Sequence, residues 1–375
     1  MNIKRWNMMP QIETWTEAEN IAYYTHMAYA IAREGFDMKN ETMEKLLTRC
    51  LLKSLNKHIL SDISIKSRDK MKEIDTEIWS HLIKESAKQI STNFPRVVST
   101  KFYKHLTFDG DYEISDPSIS KELIEDLIKY CQYKTAMEEC TTNMVVYSTK
   151  EYHKIKNSIL EKISLIPKNN LKVFEKTYKE LSESSYFETI KQLKNLLRWN
   201  RVVRSNESTV MGHTFVVSIL TVVFVNMEIQ DSTDNNNFRY RSILKALFHD
   251  LPESLTGDII TPVKDIIDKK KKGFWSKVEK SLVDDFSISL PQKIKKEFDK
   301  FSLLSDFNDD LNSIDSLVKS CDQLALIFEC LYEREWGSNI PEMIKAYENY
   351  TAKLQNSEWI SIREFSHSIL IDFPK

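Results

Sequence analysis

Six features of the first half of this chain recur in the second half in the same order, which constrains the fold more than any single motif. Arg5-Trp6-Asn7 returns as Arg198-Trp199-Asn200, and His26 in "YYTHMAYAI" is matched by His213 in "VMGHTFVVSI". Asp62-Ile63 and Asp258-Ile259, Trp79-Ser80 and Trp275-Ser276, and Pro95 and Pro291 all stand 196 residues apart. "LIKYCQYKTAMEEC" (Leu127–Cys140) then returns 190 residues later as "LVKSCDQLALIFEC" (Leu317–Cys330). Only loop-sized changes of spacing separate these echoes. The series reads as a tandem duplication, one copy over residues 1–185 and the other over 186–375.

Each copy reads as helical. Leu317, Cys321, Leu324, Phe328 and Leu331 recur at three- and four-residue steps, as do Ile243, Leu244, Leu247 and Phe248. Six glycines in 375 residues argue against an open α/β sheet with glycine-rich phosphate loops. The expected fold class is all-α. A formal net charge of −2 provides no general attraction to nucleic acid or anionic membrane. The apolar run "FVVSILTVVFV" (Phe215–Val225) is too short to span a bilayer and reads as a buried helix. "MNIKRWNMMPQIETW" has no apolar core of signal-peptide length, and the five cysteines form no CxxC pair. The expectation is a cytoplasmic chain with reduced thiols.

The stretch "ALFHDLPESLTGDIITPVK" (Ala246–Lys264) concentrates ionisable groups at the end of an apolar helix. Taken singly, any of the eight histidines is better read as a core or surface residue. The set His213, His249, Asp250 and Asp322 is different: two imidazoles and two carboxylates suit a divalent ion such as Mn, Co, Fe, Zn or Mg. Asp322, between "LVKSC" and "QLALIF", should be expensive to bury unpaired, and a metal would be its partner.

The ordered set His213 … His249-Asp250 … Asp322 resembles the signature of the HD-domain phosphohydrolases. "RWN", Glu207 to His213, "HD..E.LTGDI.TPVK" and "SLVK..D.L" resemble in particular the bacterial 5'-deoxynucleotidases of the YfbR-like family, over roughly Leu197 to Leu331. The resemblance implies a helical HD domain and removal of phosphate from deoxyribonucleoside 5'-monophosphates. It implies metal ligation by His213, His249, Asp250 and Asp322, proton handling by Glu253, and a water-orienting role for Asp258, which otherwise reads as a turn carboxylate after Gly257. Arg198 would fork onto phosphate oxygens while Trp199 leaves no room for a 2'-hydroxyl. Lys264 could add charge near the phosphate or be a solvated helix lysine, and Lys269–Lys272 reads as an exposed face. Leu251-Pro252 departs from the family's small residues and could tilt the turn that carries Glu253.

Carried back by the repeat spacings, the ligand positions of the first copy hold His26, Lys53, Ser54 and Gln132, and Lys57 stands at the place of Glu253. A lysine among ligands repels a divalent ion, so the first copy is expected to bind no metal. The family enzymes resemble homodimers, so the tandem could form an intrachain pseudo-dimer, open to further homo-oligomerisation. Arg5 and Trp6 could hold a regulatory nucleotide. Two alternatives to the deoxynucleotidase are a deoxynucleoside triphosphate triphosphohydrolase and a non-catalytic nucleotide sensor.

Overall fold

The computed structural model describes residues 3–61, 63–107, 114, 116–229, 233–257, 259, 261–302 and 309–372. Among these the chain is all-α, with two isolated β-bridges and no strand. All five cysteines are buried free thiols. The chain divides into two compact units, Met1–Glu183 and Ser184–Lys375.

The two units follow the same order of helices. Glu17–Phe36, Asn40–Lys53, Lys57–Leu60, Ile65–Ile74 and Ile78–Thr92 in the first correspond in order to Val210–Glu228, Thr233–Phe248, Leu251–Thr256, Thr261–Lys270 and Phe274–Ile288 in the second. Arg96–Leu106, Lys121–Met144, Lys150–Ser164 and Lys168–Glu183 are followed likewise by Gln292–Phe301, Asp309–Glu335, Pro341–Leu354 and Ile360–Asp372. The second unit adds Tyr186–Asn195 before its first shared element.

Local geometry repeats as well. Lys4 bridges Thr16, and Leu197 bridges Thr209. Trp6 and Trp199 both adopt left-handed backbone, with φ of 55° and 56°. A non-glycine residue is held there only when its surroundings fix it. Thr16 and Thr209 then cap their helices through their side chains. These caps fix the register and correct one sequence expectation. His213 is the fourth residue after its cap, and the fourth after Thr16 is Asn20 rather than His26, which lies six residues further along its helix.

In the second unit the Val210–Glu228 helix packs between Thr233–Phe248 and Asp309–Glu335. At 19 residues it exceeds the apolar run read from the sequence and is, by length and composition, long and apolar enough to cross a membrane. Its Val217, Phe224 and Val225 are instead buried among Ile314, Leu317 and Leu324. Each such side chain contributes about 1.5–3 kcal/mol when removed from water. This packing brings the first turn of one helix and the end of another against the same face of Asp309–Glu335.

Candidate metal and substrate site

His213 sits in the first turn of Val210–Glu228, where the Thr209 hydroxyl accepts the Gly212 N–H at 3.1 Å. Its Nε2 lies 2.8 Å from Oδ1 of Asp322. Asp322 is not a deeply buried carboxylate, contrary to the sequence expectation: its side chain is 39% exposed and paired with His213. The amphipathic stripe of its helix is core, but Asp322 lies at the edge of that stripe, where the helix meets the site.

His249 and Asp250 form the turn after Thr233–Phe248. His249 Nδ1 donates to the Ala246 carbonyl at 2.6 Å, which leaves Nε2 to face the site. Asp250 occupies the N-cap position of Leu251–Thr256, yet its carboxylate makes no capping bond. Its Oδ2 lies 3.1 Å from His249 Nε2, and neither atom has an aligned hydrogen-bond partner. Pro252 falls in the first turn of this short helix, where no backbone N–H is required, so the turn carrying Glu253 forms normally. Asp258 lies outside the described residues.

One donor atom each from His213, His249 and Asp322 lie within 4.8 Å of one another. Burial by itself would depress the His249 pKa, but Asp250 and Asp322 outweigh it and raise the value to about 9. Burial alone would raise the carboxyl of Asp250, yet His249 and its other cationic neighbours hold it low. The pocket therefore favours positive charge, and its orphaned imidazole nitrogen and carboxylate oxygen face each other. A divalent cation fits this donor set.

Arg198 lies beside the cluster. Burial opposes its charge, while Glu329, Asp250, Asp322 and Glu253 favour it. Its Nε donates to the two Glu329 oxygens at 3.1 and 3.4 Å. Trp199 Nε1 donates to the same carboxylate at 2.8 Å, and so does the Ser208 hydroxyl at 3.1 Å. His213 Nδ1 stands 3.8 Å from it. Lys264 Nζ lies 5.7 Å from the Trp275 ring centroid, a contact with that indole rather than with the cluster. Lys269–Lys272 are exposed.

Glu329 was missed by the sequence reading, although a signal existed. Asp315, Asp322 and Glu329 are spaced by seven residues, two helical turns, and so share one face. Each meets a cation or imidazole from another element: Lys245 with Asp315 at 3.1 Å, His213 with Asp322, and Arg198 with Glu329. Arg204 with Glu333 at 3.4 Å extends the row and anchors the 204–206 loop, where Glu333 also accepts the Ser205 and Asn206 amides.

A sequence profile of the 5'-deoxynucleotidase YfbR-like family matches residues 185–373. The chain belongs to this family. Its relatives include a 4'-phosphooxetanocin A phosphatase from Priestia megaterium, 26% identical over 51% of this chain and 94% of that protein. A 5'-deoxynucleotidase of Enterobacter sp. (strain 638) is 28% identical over 48% of this chain and 87% of its own length. The 5'-deoxynucleotidase YfbR of an Escherichia coli strain is 29% identical over 42% and 77%. The family match falls on the second unit, which holds the cluster, Arg198 and Glu329.

Proposed function

We propose that the second unit is a metal-dependent phosphohydrolase that removes the 5'-phosphate from deoxyribonucleoside monophosphates. The observation that carries this reading is the convergence of the His213, His249 and Asp322 donors beside Arg198, in a chain of the YfbR-like family. His213, His249, Asp250 and Asp322 would hold the ion. A divalent ion there supplies Lewis acidity toward a water and a phosphoryl oxygen.

The chain's own residues do the rest. Only Nε of Arg198 is hydrogen-bonded to Glu329, so its two Nη groups are available to fork onto phosphate oxygens. Trp199, fixed by its indole bond to Glu329, presents a rigid edge that excludes a 2'-hydroxyl. Glu253, in the turn that follows Asp250, takes a proton from the attacking water or gives one to the leaving 5'-oxygen. Asp258 orients that water, as in the family pattern. The first unit is a degenerate duplicate: Asn20, Lys53, Ser54 and Gln132 occupy the ligand positions, and they offer a cation no carboxylate or imidazole.

Product analysis tests this reading. The purified chain with Mn, Co or Mg is offered deoxyribo- and ribonucleoside mono- and triphosphates beside an Asp250→Ala control. Free phosphate from the deoxymonophosphates, absent in the control, is expected. Release of triphosphate would keep the metal site and replace the substrate, and no metal-dependent product from any of them would overturn the hydrolase.

A further inference from the structure

The first unit repeats the substrate-gripping triad of the second and then closes it. Arg5 Nε donates to both Glu139 oxygens at 3.0 and 3.1 Å, as Arg198 does to Glu329. Trp6 stands beside the Glu139 carboxylate, as Trp199 stands beside Glu329. The difference lies in two further residues. Glu17, the first residue of its helix, stands where the second unit has Val210, and Lys57, whose carbonyl accepts the Ser61 N–H as that of Glu253 accepts the Gly257 N–H, stands where it has Glu253. Glu17 Oε2 accepts Arg5 Nη1 at 2.9 Å and also lies 2.8 Å from Lys57 Nζ. The Glu17 side chain is 1% exposed, and its other oxygen, Oε1, is buried with no hydrogen-bond partner. One oxygen shared between a guanidinium and an ammonium is how such a pair holds a bound anion.

The sugar side is closed too. Tyr152 stacks on Trp6 with ring centroids 6.0 Å apart and planes 21° from parallel, and its hydroxyl is held by the Pro10 carbonyl at 2.6 Å. Among the described residues no ring stacks on Trp199.

We propose that the first unit contains a phosphate-class anion site, built from Arg5 and Lys57 and permanently filled by the carboxylate of Glu17. The charges explain why it stays filled. Arg5 and Lys57 balance Glu17 and Glu139, so a phosphate would have to displace a buried carboxylate that pairs with no other cation among the described residues. The first unit therefore does not sense nucleotides through Arg5 and Trp6, and the chain has one nucleotide site for its two units. Removing the Glu17 charge leaves a net positive, part-buried pocket that an external anion can fill.

The test uses the full chain carrying Arg198→Ala, in EDTA, so that phosphate binding in the second unit is weakened and the outcome does not depend on whether that unit is a hydrolase. Calorimetric titration with inorganic phosphate is expected to show no site that depends on Arg5. Adding Glu17→Gln is expected to create one site per chain, lost again on Lys57→Ala, with a melting temperature that rises with phosphate only when Glu17 is replaced. If Glu17→Gln does not fold, Glu17→Ala, which also removes the charge, is read the same way. Phosphate heat in the parent chain that disappears with Arg5→Gln would overturn the proposal. So would a folded Glu17 variant whose melting temperature ignores phosphate.

Discussion

Glu329 accepts the Trp199 indole N–H at 2.8 Å through the same carboxylate that receives Arg198 Nε, so one part-buried side chain sets the position of both residues proposed to grip the nucleotide. Burial works against its charge, but Arg198, His213, Trp199 and Arg204 keep it ionised below the usual carboxylate range. Glu329→Gln keeps the shape and loses the charge-assisted bond to Arg198. The Michaelis constant for a deoxymonophosphate should rise about tenfold, in line with the ~1.5 kcal/mol lower bound for a hydrogen bond to a charged group. The turnover number should change much less. Trp199→Ala should erode the preference for deoxyribo- over ribonucleotides, and steady-state kinetics on matched pairs check both.

The donors of the second unit imply one divalent ion per chain. Elemental analysis after metal loading and desalting should find one equivalent, and His249→Ala should lose it together with at least about 100-fold in activity. Two equivalents would mean that Asn20, Lys53, Ser54 and Gln132 are not as poor a donor set as their chemistry indicates.

Glu253→Gln separates proton handling from metal binding. Glu253 lies three residues past Asp250, and its backbone amide donates to the Asp250 carbonyl at 3.0 Å. Glu253→Gln keeps this backbone bond to the ligand turn. Metal content should be unchanged while the turnover number falls by about 10²–10⁴-fold.

His105 should make the first unit acid-sensitive. Burial, with Arg49 and Lys101 nearby, lowers its pKa from 6.5 to about 3. Between those values the unfolded chain binds the proton and the folded chain does not. The contribution to stability is thus complete above pH 6.5 and shrinks as pH falls toward 3, at up to about 1.4 kcal/mol per pH unit. Urea denaturation across this range, read for wild type and His105→Leu, should show a shallower acid slope in the variant. Equal slopes would remove His105 as the cause.

The helical class and the place of the apolar helix were legible in the sequence, and His213, His249 and Asp322, whose donor atoms the fold brings together, stood out there by residue type. Helical periodicity, glycine scarcity and the chemistry of ligand residues are properties of residue type and order along the chain. The echoes between the halves were legible as well, but the register that the helices share was not. A matched histidine drew His26 into line with His213, whereas the threonine caps and the paired bridges place Asn20 there. A helix register is fixed by where the helix starts, and a single identical residue inside it carries no such information.

What only the tertiary structure decided is which charges meet. Glu329 is 130 residues from Trp199, and Lys57 is 40 from Glu17, yet each pair shares a hydrogen bond or an ion pair. Those partners are chosen by helix packing, which brings distant first turns onto one acidic face. The order of residue types by itself put His213, His249, Asp250 and Asp322 at the candidate ligand positions of one half, and Lys53, Ser54 and Gln132 among the matching positions of the other. The packing decided that the Arg198 side chain bonds Glu329 through Nε, while in the first half Arg5 bonds Glu139 through Nε and an inward-turned Glu17 through Nη1.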